Sequence, residues 1–222
     1  MGEGVRASGI PRGELFMTTK VGPRDLANGD FQRSLEASLE RLGMDHVDLV
    51  LIHWPSPTLS VAEMMRPLND VRRRGLTLHI GVSNFTPRRL HEAWVSTEFP
   101  IIANQCEYHP YLNQDRLIAA CEDKGTVLVA YCPLGRGRSF DEPAIVEIAT
   151  RHAVSPAQVV LRWENQQGAV VIPRTTRADR LRTNLDIFGF RLDDAEMAAI
   201  SALSRTRNER ICGSSLIADW ND

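Results

Sequence analysis

Polar side chains with acid–base or hydrogen-bonding chemistry recur at the ends of apolar runs along this 222-residue sequence. They are Lys20, His53, Ser83, Asn84, Asn104, Gln105 and Tyr131. Lysine, histidine and tyrosine can hold or move a proton, while hydroxyl and amide groups can orient a polar ligand. The sequence therefore predicts one site that is assembled from several segments of the chain.

The apolar runs that carry these residues have the character of buried parallel strands. Val, Ile and Leu are nearly continuous in them, a pattern typical of strands that are covered on both faces. The runs are residues 14–20, 46–54, 78–83, 101–108, 126–131 and 169–173.

Segments of helical period separate the predicted strands. In residues 30–43 four apolar side chains share one face, and Gly43 can end the helix. The four are Phe31, Leu35, Leu39 and Leu42. Thr86-Pro87 and Ser155-Pro156 each predict the start of a further helix. Six repeats of strand then helix predict an α/β fold with a parallel sheet and right-handed crossovers.

Two architectures can hold six such strands: an open doubly wound sheet, or a closed eight-stranded barrel from which two strands are absent. The alternation alone slightly favours the open sheet. The polar residues at the carboxyl ends of many strands favour the barrel, because a TIM-type barrel builds its active site there.

Composition excludes several classes of function. With 43% hydrophobic and 24% charged residues, the chain can bury one sizeable core, so we predict a single domain over residues 1–222. A net charge of −2 without charge clustering argues against a nucleic-acid or membrane partner. Without a signal peptide or an apolar run long enough for a bilayer, we expect a cytoplasmic protein.

Motifs for metals and phosphate loops are absent from the sequence. The four cysteines, which show no CxxC spacing, are interpreted as reduced thiols. His91-Glu92 would need a second histidine at position 95 to form a zinc motif, and Val95 stands there. Neither a GxGxxG fingerprint nor a GxxxxGK[ST] loop occurs.

Six motifs occur in the order and spacing of aldo-keto reductases, and together they cover nearly the whole chain. They are Thr18-Thr19-Lys20, Asp48-Leu49 before His53-Trp54-Pro55, Ile80-Gly81-Val82-Ser83-Asn84-Phe85, Asn104-Gln105, Glu107-Tyr108-His109-Pro110 and Ile172-Pro173-Arg174-Thr175. The sequence most resembles the bacterial branch similar to 2,5-diketo-gluconate reductases. The resemblance implies a (β/α)₈ barrel that reduces aldehydes and ketones with NADPH, acting on a small-molecule carbonyl substrate as a monomer.

The resemblance assigns catalytic roles to Lys20 and His53. In the family, the lysine lowers the pKa of a catalytic tyrosine, and the histidine orients the substrate carbonyl. Trp54 matches an aromatic residue that lines the substrate pocket. On residue type alone, Lys20 would be a charge that reaches solvent from a strand end, and His53 would be a hydrogen-bonded core residue.

The nicotinamide end of the cofactor is assigned to strand ends. Ser83, Asn84 and Gln105 match residues that hydrogen-bond the carboxamide, and Tyr131 matches the aromatic residue that stacks on the ring. Structural caps on strand ends are the alternative interpretation. The loop Cys132-Pro133-Leu134-Gly135 matches the segment whose backbone approaches the pyrophosphate, with Cys132 where the family often has serine.

The adenosine end is assigned to Arg174, Thr175, Arg180 and Asn184. Arg174 stands where lysine is usual, and its bidentate hydrogen bonds suit a 2′-phosphate, which favours NADPH over NADH. A solvated basic helix start is the alternative here. Thr183 replaces a common glutamate, so the adenine contacts depart from the family pattern.

The family's catalytic Tyr and Asp have no counterparts, because the sequence aligns from just after the Tyr-x-Asn-Glu segment. We therefore expect an incomplete barrel that lacks its first two βα units, roughly 50 to 60 residues. Strands 14–20 and 169–173 would then be exposed edges through which chains could associate. We expect impaired activity; the alternative is a non-catalytic NADPH-binding regulatory or structural protein on the same scaffold.

The C-terminal tail, residues 204–222, has the position of a specificity loop in the family. Trp220 and Ile211 are its candidates for reaching the substrate pocket, against the alternative of a solvated tail. The sequence does not identify the physiological substrate.

Overall fold

A computed structural model describes residues 1–213 and Trp220. Its strands are β1 (Thr18–Val21), β2 (Val47–Ile52), β3 (Thr77–Ser83), β4 (Ile101–Glu107), β5 (Val127–Tyr131) and β6 (Val170–Val171). Its helices are α1 (Gly2–Ser8), α2 (Pro23–Ala27), α3 (Phe31–Leu42), α4 (Val61–Arg73), α5 (Pro87–Ser96), α6 (Asp115–Asp123), α7 (Pro143–His152), α8 (Pro156–Gln166), α9 (Ala178–Leu185) and α10 (Asp194–Thr206).

The strands follow one another in a six-stranded sheet in chain order, from β1 to β6. The registers of β1 with β2, β2 with β3 and β5 with β6 are parallel. The predicted α/β fold with six parallel strands is thereby confirmed. None of the helices in the described part of the chain is long and apolar enough to cross a bilayer.

The described residues divide into two compact units. The first unit contains residues 1–104, 120–126 and Trp220, and the second contains residues 105–119 and 127–213. The predicted single domain over residues 1–222 stays a prediction, and most of the tail from residue 214 onward lies outside the described residues.

In the first unit, helices pack on β1, β2 and β3. Helix α3 packs on β1 and buries the predicted face through Phe31, Leu35 and Leu39. The left-handed Gly43, at φ 67°, follows the helix and confirms its predicted end. Helix α4 packs on β2 and β3, and α5 begins after Thr86, whose hydroxyl accepts a hydrogen bond from the N–H of Arg89.

The first strand is shorter than the sequence predicts. Residues 12–14 form a 3₁₀ turn, and extended pairing begins only at Thr18. The N–H of Met17 donates to a carboxylate oxygen of Asp48 at 2.7 Å, and Arg12 forms an ion pair with the same carboxylate at 2.8 Å. Because the Asp48 carboxylate accepts the N–H of Met17 in place of a strand neighbour, the apolar residues 15–17 are not part of the strand.

In the second unit, α8 is the central helix. It begins with a capping box between Ser155 and Gln158, as Ser155-Pro156 predicts, and it packs against α7, α9 and β6. Its Trp163 is buried, with its ring centroid 5.1 Å from that of Tyr108. Strand β6 covers only two of the five predicted residues, since Pro173 has no N–H to continue the ladder.

Candidate active site

The first unit brings Lys20 and His53 together at the carboxyl ends of β1 and β2. The N–H of His53 donates to the carbonyl oxygen of Val21 at 2.9 Å, which extends the pairing of the two strands by one residue. Burial lowers the pKa of Lys20, and burial together with the charge of Lys20 lowers the pKa of His53. The imidazole is therefore neutral at pH 7 and can donate a hydrogen bond to a carbonyl oxygen.

Asn84 holds the backbone at this site. It is buried at φ 63°, a left-handed conformation that asparagine tolerates better than most residues. Its Nδ2 donates to the carbonyl oxygen of His53 at 3.0 Å and to Oγ of the buried Ser83 at 3.1 Å. Asn84 thus fixes the end of β2 to the end of β3, a positioning role that the sequence assignment to the carboxamide did not include.

An aromatic pair extends from His53: Trp54 is its neighbour, and Trp220 packs on Trp54. The ring centroid of Trp54 lies 6.5 Å from that of His53, and Trp220 meets Trp54 edge to face at 6.0 Å. An aromatic wall beside a neutral histidine suits the apolar part of a carbonyl substrate. The role of Trp54 and Trp220 in substrate binding stays a prediction.

The electrostatic coupling of Lys20 to His53 can be measured directly. Replacing Lys20 with methionine removes a cation that disfavours imidazolium, so the pKa of His53 should rise toward its ordinary value. NMR titration of the His53 ring protons measures the change. The half-buried Lys124, paired with Asp123 at 2.9 Å, provides the control Lys124→Met, which should leave the His53 pKa unchanged. An unchanged pKa in Lys20→Met would contradict this coupling.

The second unit contains a cavity of about 690 Å³ behind the end of β5. It contains predicted residues from both cofactor segments, together with a residue from the C-terminal tail. They are Tyr131, Cys132, Pro133, Leu134, Arg174, Arg180 and Cys212. Neither Arg174 nor Arg180 forms an ion pair with any residue that the structure describes. Two guanidinium groups without carboxylate partners make this cavity suited to an anion.

The loop after β5 is tightly wound. Cys132, Gly135 and Arg136 all have positive φ, at 54°, 51° and 56°. The N–H of Gly135 donates to the carbonyl oxygen of Cys132 at 2.9 Å, and that of Gly137 donates to Leu134 at 2.7 Å. The chain therefore turns twice beside the cavity, and the assignment of this loop backbone to the pyrophosphate stays a prediction.

Six predicted cofactor residues do not line this cavity, and two of them, Ser83 and Asn84, belong to the first unit. Gly135 lies behind the loop, where an added Cβ would be 3.5 Å from the ring of His109. Thr175 accepts a hydrogen bond from the N–H of Arg177 at 3.1 Å and shapes the turn before α9. Gln105 is buried in β4, and Asn184 lines a separate groove of about 400 Å³ with apolar neighbours.

Sequence reasoning missed Glu107 as the anchor of the C-terminal segment. Its fully buried carboxylate accepts hydrogen bonds from the N–H of Ile211 at 2.6 Å and that of Cys212 at 3.1 Å, and it pairs with His109 Nε2 at 3.0 Å. Burial would raise the pKa of Glu107, but these bonds hold it below its ordinary value. The Glu-x-His spacing, which places both side chains on one face of an extended segment, was the available signal.

None of the three tyrosines in the sequence has the properties of an activated acid. Burial raises the pKa of Tyr108 and of Tyr131, and burial together with Glu142 raises the pKa of Tyr111 to about 12. A general acid for neutral conditions needs a pKa nearer to 7. The predicted catalytic residues Lys20 and His53 therefore have no activated tyrosine among these three to act with them.

Comparison with known proteins identifies relatives along almost the entire chain. Residues 1–205 match the model of the aldo/keto reductase family. An aldo-keto reductase of Mycolicibacterium vanbaalenii is 44% identical over 204 residues, which are 91% of this chain and 73% of the relative. One of Mycobacterium tuberculosis is 40% identical over 205 residues, 92% of this chain and 73% of the relative.

Solved structures show the same fold. A protein with the provisional name 2,5-diketo-D-gluconic acid reductase B superimposes with a TM-score of 0.94 at 39% identity, covering 99% of this chain and 78% of that one. A Bombyx mori aldo-keto reductase crystallised with NADP gives a TM-score of 0.89 at 30% identity, covering 96% of this chain and 76% of that one. The fold that the sequence motifs imply is thereby confirmed.

Proposed function

Because the chain belongs to the aldo/keto reductase family, an oxidoreductase family, we propose that it binds NADPH and reduces small aldehydes or ketones to alcohols. The dihydronicotinamide of NADPH supplies the hydride when it is bound. The observation that carries the proposal is the cavity of about 690 Å³, in which Arg174 and Arg180, neither in an ion pair with a described residue, accompany the loop that begins at Cys132.

The residues of the cavity fit the phosphates of this cofactor. Arg174 and Arg180 supply positive charge, no carboxylate of the described residues pairs with either, and guanidinium groups bind phosphate oxygens in pairs. The loop from Cys132 brings backbone to the same cavity, and Tyr131 offers a partly exposed ring for stacking. This division assigns the 2′-phosphate to the two arginines and the pyrophosphate to the loop.

Lys20 and His53 serve the carbonyl. The neutral His53 ring donates a hydrogen bond to the substrate oxygen, and Lys20 adds positive charge where negative charge develops. Asn84 keeps His53 in place through its backbone carbonyl. These groups orient and polarise the carbonyl, while its protonation requires an acid that the described tyrosines do not provide.

The raised pKa values of the tyrosines favour slow turnover as part of the proposal. A positioned general acid contributes about 10² to 10⁴ in rate, so the 222 residues alone should bind NADPH well and reduce carbonyls slowly. The second candidate, an NADPH-binding protein without catalysis, rests on the same observation. The four cysteines, none in a disulfide, support a reducing compartment and hence the cytoplasm.

Titration of the 222-residue chain with NADPH, followed by cofactor fluorescence, tests the binding. Turnover is then measured as NADPH consumption with a generic aldehyde. We expect saturable binding, with turnover that is slow and is lowered further in His53→Ala. Binding with no turnover in any aldehyde supports the non-catalytic candidate. A folded chain that shows no NADPH binding contradicts both functions.

A further inference from the structure

Two cysteines face each other in the second unit, at the cavity just described. Cys132 directly follows β5, and Cys212 lies in the segment after α10. Their Sγ atoms and a carboxylate oxygen of Glu107 all lie within 4.8 Å of one another. Burial, together with the neighbouring Cys212 and Glu107, raises the pKa of Cys132 to about 11.

The backbone is held by hydrogen bonds at Cys212 and at the residue before it, and it is irregular after Cys212. Glu107 accepts the N–H groups of Ile211 and Cys212, which holds the segment against the end of β4. The residue that follows, Gly213, is exposed and has no regular structure. The anchor keeps the two sulfurs within 4.8 Å of each other, and a disulfide bond requires them at roughly 2 Å.

A metal ion is a less suitable occupant of this cluster. The Glu107 carboxylate already accepts His109 Nε2, Ile211 N and Cys212 N, and the guanidinium of Arg210 lies 4.0 Å from it. A cation would have to displace these donors and approach a positive charge. The dithiol needs no such displacement.

We propose that Cys132 and Cys212 form a reversible disulfide when a peroxide reaches the cavity. The two thiols lose two electrons and two protons and join through one S–S bond. Hydrogen peroxide gains the electrons, its O–O bond breaks, and both oxygens leave as water. Both thiols are half-buried in the wall of an open cavity, so small oxidants can reach them.

The disulfide would also regulate the cavity, a consequence that rests on the proposed NADPH function. The bond ties the C-terminal segment to the loop assigned to the pyrophosphate, in the same wall as Arg174 and Arg180. Oxidation should therefore weaken NADPH binding. By thermodynamic reciprocity, bound NADPH should disfavour the disulfide to the same extent.

Peptide mapping after peroxide treatment tests the bond itself. Cleavage after Lys124, Arg136 and Arg210 places Cys132 in peptide 125–136 and Cys212 in peptide 211–222. We expect the treated chain to yield these two peptides linked and 2 Da lighter than their sum, and a reductant to separate them. Cys132→Ser and Cys212→Ser should each abolish the linked species, while the buried Cys106 serves as control through Cys106→Ser, which should retain it.

Other products would overturn the proposal. These are sulfinic or sulfonic acids on single cysteines, links between chains, or no reaction at peroxide levels that oxidise a free thiol. A second arm repeats the oxidation with saturating NADPH, where we expect at least a tenfold slower linkage. An equal rate in the presence of bound NADPH overturns the regulatory coupling. If NADPH does not bind the reduced chain, the proposed function is wrong. The peptide map still decides separately whether the disulfide forms.

Discussion

Replacing Arg174 with methionine should weaken NADPH binding by about 10- to 100-fold, because a charge-assisted hydrogen bond contributes about 1.5 to 3 kcal/mol. NADH lacks the 2′-phosphate, so its affinity should change little. The ratio of the two dissociation constants, measured by fluorescence or calorimetric titration, therefore reports the role of Arg174 without depending on turnover. A variant that loses affinity for both cofactors equally would place Arg174 elsewhere in the site.

Arg177 provides a matched control three residues away. Its guanidinium is paired with the Asp179 carboxylate at 2.6 Å, and it does not line the cavity. Arg177→Met removes the same formal charge from the same segment, yet it should leave the cofactor ratio within about twofold, since an exposed paired charge contributes little. A similar loss of NADPH affinity in both variants would indicate that Arg174 acts through the positive potential of the segment rather than through a direct contact with the phosphate.

Arg174→Lys distinguishes charge from geometry. Lysine keeps the positive charge but cannot form two parallel bonds to a phosphate. We expect an intermediate NADPH affinity that falls more steeply with salt, because the remaining interaction is mainly Coulombic. Wild-type affinity in this variant would show that charge alone decides the cofactor preference.

The architecture could be predicted because its signals are local. Continuous apolar runs, the Ser155-Pro156 start and the Gly43 stop each depend on neighbouring residues, and each appears in the structure. Strand ends were predicted less well. The late start of β1 depends on Asp48, which lies thirty-one residues from the Met17 N–H that it accepts. The spacing of apolar residues in the sequence carries no information about a hydrogen bond between such distant residues.

The candidate site shows the same limit. Residue types at strand ends led to Lys20 and His53, and in the structure the charge of Lys20 lowers the pKa of His53. The positioning roles of Asn84 and Glu107 could not be predicted, because each side chain binds backbone that is distant in sequence. Asn84 binds the carbonyl oxygen of His53, and Glu107 binds the N–H groups that follow Arg210. A motif identifies such residues in the sequence, but it does not reveal which backbone groups they bind.

Glu164 offers the largest expected gain in stability. Its carboxyl group is completely buried in α8, and neither oxygen has a hydrogen-bond partner within the described residues. A buried polar group without a partner costs about 1 to 3 kcal/mol. Glu164→Met keeps the unbranched shape and removes the polar atoms, so we expect the free energy of unfolding to rise by about this amount.

The gain should depend on pH in a defined direction. Burial raises the pKa of Glu164 well above its ordinary value, so the folded chain keeps a proton that the unfolded chain releases. The contribution of Glu164 to wild-type stability therefore falls as pH increases from the unfolded pKa of about 4.3 toward the folded pKa. The advantage of Glu164→Met should accordingly be smaller at pH 4 than at pH 7.

Urea unfolding followed by circular dichroism at both pH values measures these free energies. Glu147 supplies the control, since it is an exposed glutamate on α7 that pairs with Arg151 at 2.9 Å. Glu147→Met should change the free energy of unfolding by no more than about 0.5 kcal/mol. If Glu164→Met destabilises the fold, the carboxyl group has a partner whose bond outweighs its burial. If burial of the carboxyl group causes the gain in the free energy of unfolding, the gain differs between the two pH values. An equal gain would place the cost of Glu164 in packing, because only a proton held in the folded state makes that cost depend on pH.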